Sequence, residues 1–287
     1  MDVSARDGRV LHVYDSGETA AEGTVYWQHG AGMCGLPPGP LVERAGALGL
    51  RVLGHDRPGY GRSTARPGHS VGDGVSNMVT VLDRLGVESA TTIGLSAGAM
   101  YALGAAALHP SRFTAAVVLG GPAPFGAVGL DWFAGMGNGN RAEFEAALRG
   151  RDALTAHLAS DAQVDLSVFV AEDLAAMHGP YWDWQLQAAS TASPEGSIED
   201  ELACLSDWGF GLDDITVPVL VLHGAGDTFV PASHAAWVAE TIPTSILRLV
   251  PGGHISTIPH SEDALAWLLA HGGSHRRPDD RAQRSCG

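Results

Sequence analysis

Short apolar runs bounded by Gly, Pro or Asp recur through both ends of the chain, and longer stretches with helical periodicity lie between them. Runs near residues 10–14, 25–28, 51–55, 90–95, 114–119, 217–223 and 245–250 read as strands. Ser70–Leu85, Ala97–Leu108, Ser233–Glu240 and Ser261–His271 read as helices. Strands that alternate with helices are joined by crossovers, so the rhythm predicts an α/β fold with a mostly parallel sheet flanked by helices.

The rhythm breaks between about 122 and 214. Gly/Pro-rich turns there give way to helical stretches such as Arg141–Leu158, with no convincing strand, and the segment reads as an inserted helical cap. The expected organisation is a core in two parts, 1–121 and 215–272, around a cap at 122–214. Residues 273–287 hold almost no apolar side chains and read as a disordered tail.

Composition narrows what such a chain binds. With 287 residues, 45% of them apolar and 17% charged, the chain can bury a sizeable core as one unit with an insertion. The formal charge is −15, all 17 basic residues are Arg, and only the last dozen residues concentrate them. That distribution disfavours binding to a phosphate backbone, so nucleic acid is not an expected partner. Cys34, Cys204 and Cys286 are scattered, without CxxC or Cys/His spacing, which argues against a disulfide framework and against a zinc site. The first eight residues are polar and lack the apolar stretch of a signal peptide. No run reaches the ~18 uninterrupted apolar residues of a membrane span. The expectation is a cytoplasmic protein that acts on small molecules; its oligomeric state is not legible.

The pattern Gly-x-Ser-x-Gly occurs twice, at Gly68-His-Ser70-Val-Gly72 and at Gly94-Leu-Ser96-Ala-Gly98. It carries chemistry only where a strand, a sharp turn and a helix succeed one another, because small neighbours then let a strained serine present its hydroxyl to substrate. Ser96 follows the β-branched run Thr91-Thr92-Ile93 and opens a helix-forming stretch. Ser70 follows the loop Thr64-Ala-Arg-Pro-Gly68 with no strand before it, and reads as the cap of the next helix. Ser96 is the expected nucleophile.

A serine hydroxyl is a poor nucleophile until a base removes its proton. Two histidines lie in the correct late region, His254 after the last strand in Val250-Pro-Gly-Gly-His254, and His260 against the final helix. His254 is the expected base and His260 a surface or cap residue. Asp227, in the loop that ends the 217–223 strand, is placed to orient the imidazole, whereas Asp213 and Asp214 precede that strand and read as solvated turn residues. A developing oxyanion needs two backbone N–H donors. Ala97 supplies one, and the loop Gln28-His29-Gly30-Ala31-Gly32 the other, with Ala31 favoured and Gly32 left open.

Together these segments resemble the α/β-hydrolase superfamily over about residues 9–271. The resemblance rests on His29-Gly30, Asp56-Arg-Pro-Gly-Tyr-Gly-Arg-Ser63, the turn at Ser96, His223-Gly-Ala-Gly-Asp227 and Gly252-Gly-His254. It implies an eight-stranded sheet, a helical cap over the site and no cofactor, and gives Asp56 and Arg57 a structural role. It also implies hydrolysis of a small, partly apolar carboxylic ester, thioester or lactone through an acyl-Ser96 enzyme. Amidase, aminopeptidase, carbon–carbon hydrolase and perhydrolase activities share the triad, and a non-catalytic binding protein shares the fold. Ser at the turn argues against dehalogenases and epoxide hydrolases, which resemble this fold but use Asp there. A thiol enzyme built on Cys34 lacks such a turn. Among the aromatic residues of the cap, Trp132, Trp182 and Trp184 are the candidates for a substrate pocket, against the alternative that they form the cap's own core.

Overall fold

Strands that are apolar on both faces bury both, and this chain's strands sort their side chains alternately into two cores. In the computed structural model, Val219 and Val221 face one core and Leu220 and Leu222 the other. Likewise Tyr26 points one way, and Val25 and Trp27 the other. That period of two is what an α/β sheet covered by helices on both sides demands. The structure describes residues 1–17, 21–160, 168–191 and 193–273. Apart from Gly273, the tail expected at 273–287, with Cys286, lies outside the described residues.

The described residues form eight strands, β1 (Asp2–Ser4), β2 (Val10–Asp15), β3 (Gly23–Gln28), β4 (Leu50–His55), β5 (Ala90–Leu95), β6 (Phe113–Leu119), β7 (Val219–Gly224) and β8 (Ser245–Val250). They make one sheet in the order β1-β2-β4-β3-β5-β6-β7-β8. β3 to β8 pair in parallel, whereas β2 runs antiparallel to both β1 and β4.

The helices are α1 (Gly39–Ala47), α2 (Val71–Arg84), α3 (Gly98–Leu108), α4 (Asn138–Leu148), α5 (Arg151–Leu158), α6 (Ala171–Ala176), α7 (Pro180–Ser190), α8 (Pro194–Leu205), α9 (Ala232–Thr241) and α10 (Ser261–His271). α2, α3 and α9 contribute to one core and α1 and α10 to the other. α3 is buried almost all round, from Gly98 to Ala106, as expected of a helix without a polar face. α4 to α8 fill the interval between β6 and β7.

The structure departs from the sequence pattern at three places. β1 and α1 are elements that the pattern does not predict. The single helical stretch expected over Arg141–Leu158 is two helices, because Gly150 takes φ 104°, a left-handed conformation that ends one helix and lets the next begin at Arg151.

Candidate active site

The parallel strands all point their carboxyl ends to one edge, and the loops leaving that edge carry the candidate chemistry. Ser96 directly follows β5 at φ 52°, the one non-glycine residue at positive φ among the described residues. The flanking glycines make this possible by close approach. A Cβ at Gly94 would stand 2.4 Å from the Gly98 carbonyl oxygen, and one at Gly98 would stand 2.3 Å from the Gln28 carbonyl oxygen. The Ser96 amide donates to the Leu119 carbonyl at 2.8 Å, which ties the turn to the end of β6. Local strain of this kind persists where surrounding structure over-determines it. Ser70, the serine of the other motif, instead caps α2 in a reciprocal capping box with Asp73.

Asp227 and His254 leave β7 and β8 and meet. The His254 Nδ1–H donates to Asp227 Oδ2 at 2.7 Å, and Asp227 Oδ1 accepts from the amides of Phe229 at 2.8 Å and Val230 at 3.0 Å. Burial alone would raise the Asp227 carboxyl. The His254 charge and hydrogen bonds from His223 and His254 outweigh it and hold the carboxyl well below the usual range. Burial pulls the His254 imidazole down, but the Asp227 charge and hydrogen bond, with a further contribution from Asp173, leave it raised above its ordinary value. A Cβ at Gly120, the residue after β6, would lie 3.2 Å from the His254 ring, so this glycine leaves room for the pair. The ring also stacks on Phe229.

Three further side chains, to which the sequence assigns no catalytic role, complete the frame. His223, at the end of β7, donates from Nε2 to the Val230 carbonyl at 2.7 Å and lies 3.4 Å from Asp227 Oδ2. Asp173, on α6, accepts from the amide and the hydroxyl of Ser256, both at 2.8 Å, and so anchors the loop that carries His254. His29 is buried and held neutral, chiefly by desolvation and then by the Arg57 charge. Because its Nε2 must accept from the Arg57 amide at 3.2 Å, its Nδ1 carries the hydrogen donated to the Gly30 carbonyl at 2.8 Å. Nothing local in the sequence marks Asp173, since its partner lies far along the chain.

Ser96, Ala97, Ala31, Gly32 and His254 line one cavity of about 420 Å³. Its aromatic walls are Phe144 and Phe229. Trp132, Trp182 and Trp184 are not among its lining residues, which corrects the expectation for the pocket. The reason is the indole N–H, which needs an acceptor when buried. Trp132 donates to the Ala123 carbonyl and Trp184 to the Leu36 carbonyl, both at 2.9 Å, so each ring is an anchor within a core cluster. Trp182, two residues before Trp184 on α7, is half-buried away from the cavity. His260 approaches Asp263 at 3.2 Å beside α10 and does not line the cavity, and Asp213 and Asp214 are exposed. Cys34 is buried outside the cavity lining.

Arg57 is fully buried and acts as a clip. Its guanidinium donates to the His29 carbonyl at 2.7 Å and the Gly30 carbonyl at 3.3 Å, and pairs with Asp200 on α8. Asp200 also accepts from the hydroxyls of Tyr60 and Tyr101, both at 2.8 Å. Asp56, equally buried, accepts from the amides of Gly35 at 2.7 Å and Arg62 at 2.8 Å.

A family model described as alpha/beta hydrolase fold matches residues 23–261. A Caulobacter protein, RutD, whose name carries a provisional carbamate-hydrolase assignment, is 28% identical over 94% of this chain and 97% of its own length. A non-heme chloroperoxidase of Streptomyces lividans is 30% identical over 77% of this chain and 82% of its own. A pimeloyl-acyl-carrier-protein methyl ester esterase of Aromatoleum aromaticum is 41% identical, but the match spans only 22% of this chain and 26% of that protein. Among solved structures, a thermophilic esterase from Thermogutta terrifontis superposes with a TM-score of 0.70 at 20% identity, over 95% of this chain and 99% of the other. That likeness speaks to the fold. No helix among the described residues is long and apolar enough to cross a membrane. With the family model spanning most of the sequence and the strand order, serine turn and edge loops all in place, the chain belongs to the alpha/beta hydrolase fold family.

Proposed function

We propose that the protein is a serine hydrolase of small carboxylic esters, thioesters or lactones, working through an acyl-Ser96 intermediate. One observation carries the reading: the 2.7 Å Asp227–His254 hydrogen bond lies at the wall of the cavity into which the strained Ser96 turn projects. With Nδ1–H given to Asp227, His254 has Nε2 free as the base. It takes the Ser96 hydroxyl proton while Oγ forms a bond to the substrate carbonyl carbon, whose π electrons move to oxygen. The Ala97 amide and the Ala31 amide, or its neighbour Gly32, stabilise that oxyanion. Collapse expels the alkoxide or thiolate, which receives the proton from His254. Water then repeats the cycle on the acyl group and releases the acid. Asp227 stays ionised throughout and holds the imidazole in the required tautomer. The segment 122–214 serves as the cap, closing the cavity with Phe144 of α4 and the inner face of α8.

The test is a fluorophosphonate probe followed by mass spectrometry of the labelled peptide. Phosphonylation at Ser96, lost in Ser96→Ala, is the expected result, and a panel of chromogenic esters, thioesters, lactones and amides then ranks the bond types. A folded protein that stays unlabelled and cleaves none of the panel overturns the reading in favour of a binding protein on this fold.

A further inference from the structure

One wall of the cavity differs chemically from the rest. On α8, Ser197, Asp200, Glu201 and Cys204 recur at the three- and four-residue spacing of one helix face, and all line it. Glu143, on α4, lines the same cavity, close enough to Glu201 to act on its carboxyl. Glu201 is only 6% exposed, and its Oε2 has no hydrogen-bond partner among the described residues. Burial, then the contact with Glu143, pushes the Glu201 carboxyl well above its ordinary range.

Three arginines of this region are already committed. Arg57 is paired with Asp200, Arg151 with Glu195 and Glu199, and Arg141 with Glu145. Native interiors rarely keep a carboxylate oxygen unsatisfied, so a buried pair facing a cavity asks for a donor from outside. An alcohol brings one donor and no charge. A protonated amine brings a positive charge and two or three donors in a volume that a pair of carboxyls can enclose. No cluster of three or more potential metal ligands occurs among the described residues, and two carboxyls alone fall short of what a hard cation requires.

We infer that Glu143 and Glu201 form an acidic subsite for a protonated amine on the substrate, in the cavity that also holds Ser96. This deepens the proposed function, on which it rests for the identity of the reacting end: the substrate class becomes small amino-bearing esters or related acyl compounds.

Two measurements on the full-length protein test it. The first needs no turnover: calorimetric titration with hexylamine, protonated at neutral pH, against 1-hexanol. The ammonium is expected to bind at least tenfold more tightly than the alcohol, with a loss of about tenfold in Glu201→Gln, or about 1.4 kcal/mol. Glu143→Gln, at a half-buried position where refolding is less demanding, should show a loss in the same direction. The second compares p-nitrophenyl 6-aminohexanoate with p-nitrophenyl heptanoate. The ratio of their kcat/KM values should favour the amino ester by tenfold or more and fall at least tenfold in Glu201→Gln, chiefly through KM. Equal binding of amine and alcohol overturns the subsite even if every ester is cleaved. So does a Glu201→Gln protein that melts lower yet keeps both preferences, because the pair is then only a link between α4 and α8. If no ester turns over and Ser96 is unlabelled, the hydrolase reading fails, while the titration still decides the subsite.

Discussion

The carboxyl edge of the sheet and the helices packed over it solve opposite problems. At the edge, backbone geometry does the positioning: a serine at φ 52°, glycines whose missing Cβ atoms admit neighbouring carbonyls, and a histidine held by an aspartate whose other oxygen is fixed by two amides. Over it, side-chain charge does the work, and two consecutive residues of α8 show how differently. Asp200 is answered by Arg57 and two tyrosines, whereas Glu201, which lines the cavity, keeps Oε2 without a partner among the described residues. The contrast separates two questions. Under the proposed function, the edge would determine which bond is attacked and the helices which molecule is held there.

That separation can be broken in graded steps. Ser96→Ala should lower ester turnover by roughly 10⁴- to 10⁶-fold while leaving the urea midpoint in place, measured by pre-steady-state assay beside a denaturation curve. A large fall in stability with it would mean that the edge serves the fold as well as the chemistry. Asp200→Asn should do the reverse, costing about 3–5 kcal/mol of stability, because it leaves the buried Arg57 charge without its partner. An unchanged denaturation midpoint would show that Arg57 finds another acceptor.

The pH profile reaches across the two regions. As the proposed base, His254 would work only when unprotonated, and its proton is held above the ordinary imidazole value, so kcat/KM should rise through a midpoint above about 6.5. Asp173 contributes to that elevation from α6 and also anchors Ser256. Asp173→Asn removes the charge but keeps an acceptor for Ser256, so the midpoint should move to lower pH. A profile that stays put would confine Asp173 to anchoring the loop. The smallest effect is expected at Ser70→Ala, about 1 kcal/mol from the lost helix cap, with ester turnover unaltered.

How far the sequence alone reaches follows from the range of each interaction. The strand before Ser96 and the helix after it are written in contiguous residues, and so are the turns around Asp227 and His254. β1 leaves no signal because three residues with only Val3 buried make no pattern, and α1 leaves none because Pro37-Pro38-Gly39-Pro40 reads as a turn, although proline suits a helix's first turn. Arg57 with Asp200, Asp173 with Ser256, and Glu143 with Glu201 join residues far apart in the chain, and no local spacing announces them. The tryptophans mislead for a related reason: their size suggests a pocket, but the carbonyl that a buried indole seeks is a tertiary fact.

The strand order also sets an order in time. β6 and β7 lie side by side, yet the whole run from α4 to α8 separates them in sequence. Closing so long a loop costs chain entropy before any ladder hydrogen bond offsets it, so the docking of β7 and β8 belongs late in folding. A nascent or partly unfolded chain can therefore hold β3 to β6 together and display Ser96 while Asp227 and His254 are still adrift. Under the proposed mechanism its hydroxyl then has no base, and half-made copies of the protein would be chemically silent.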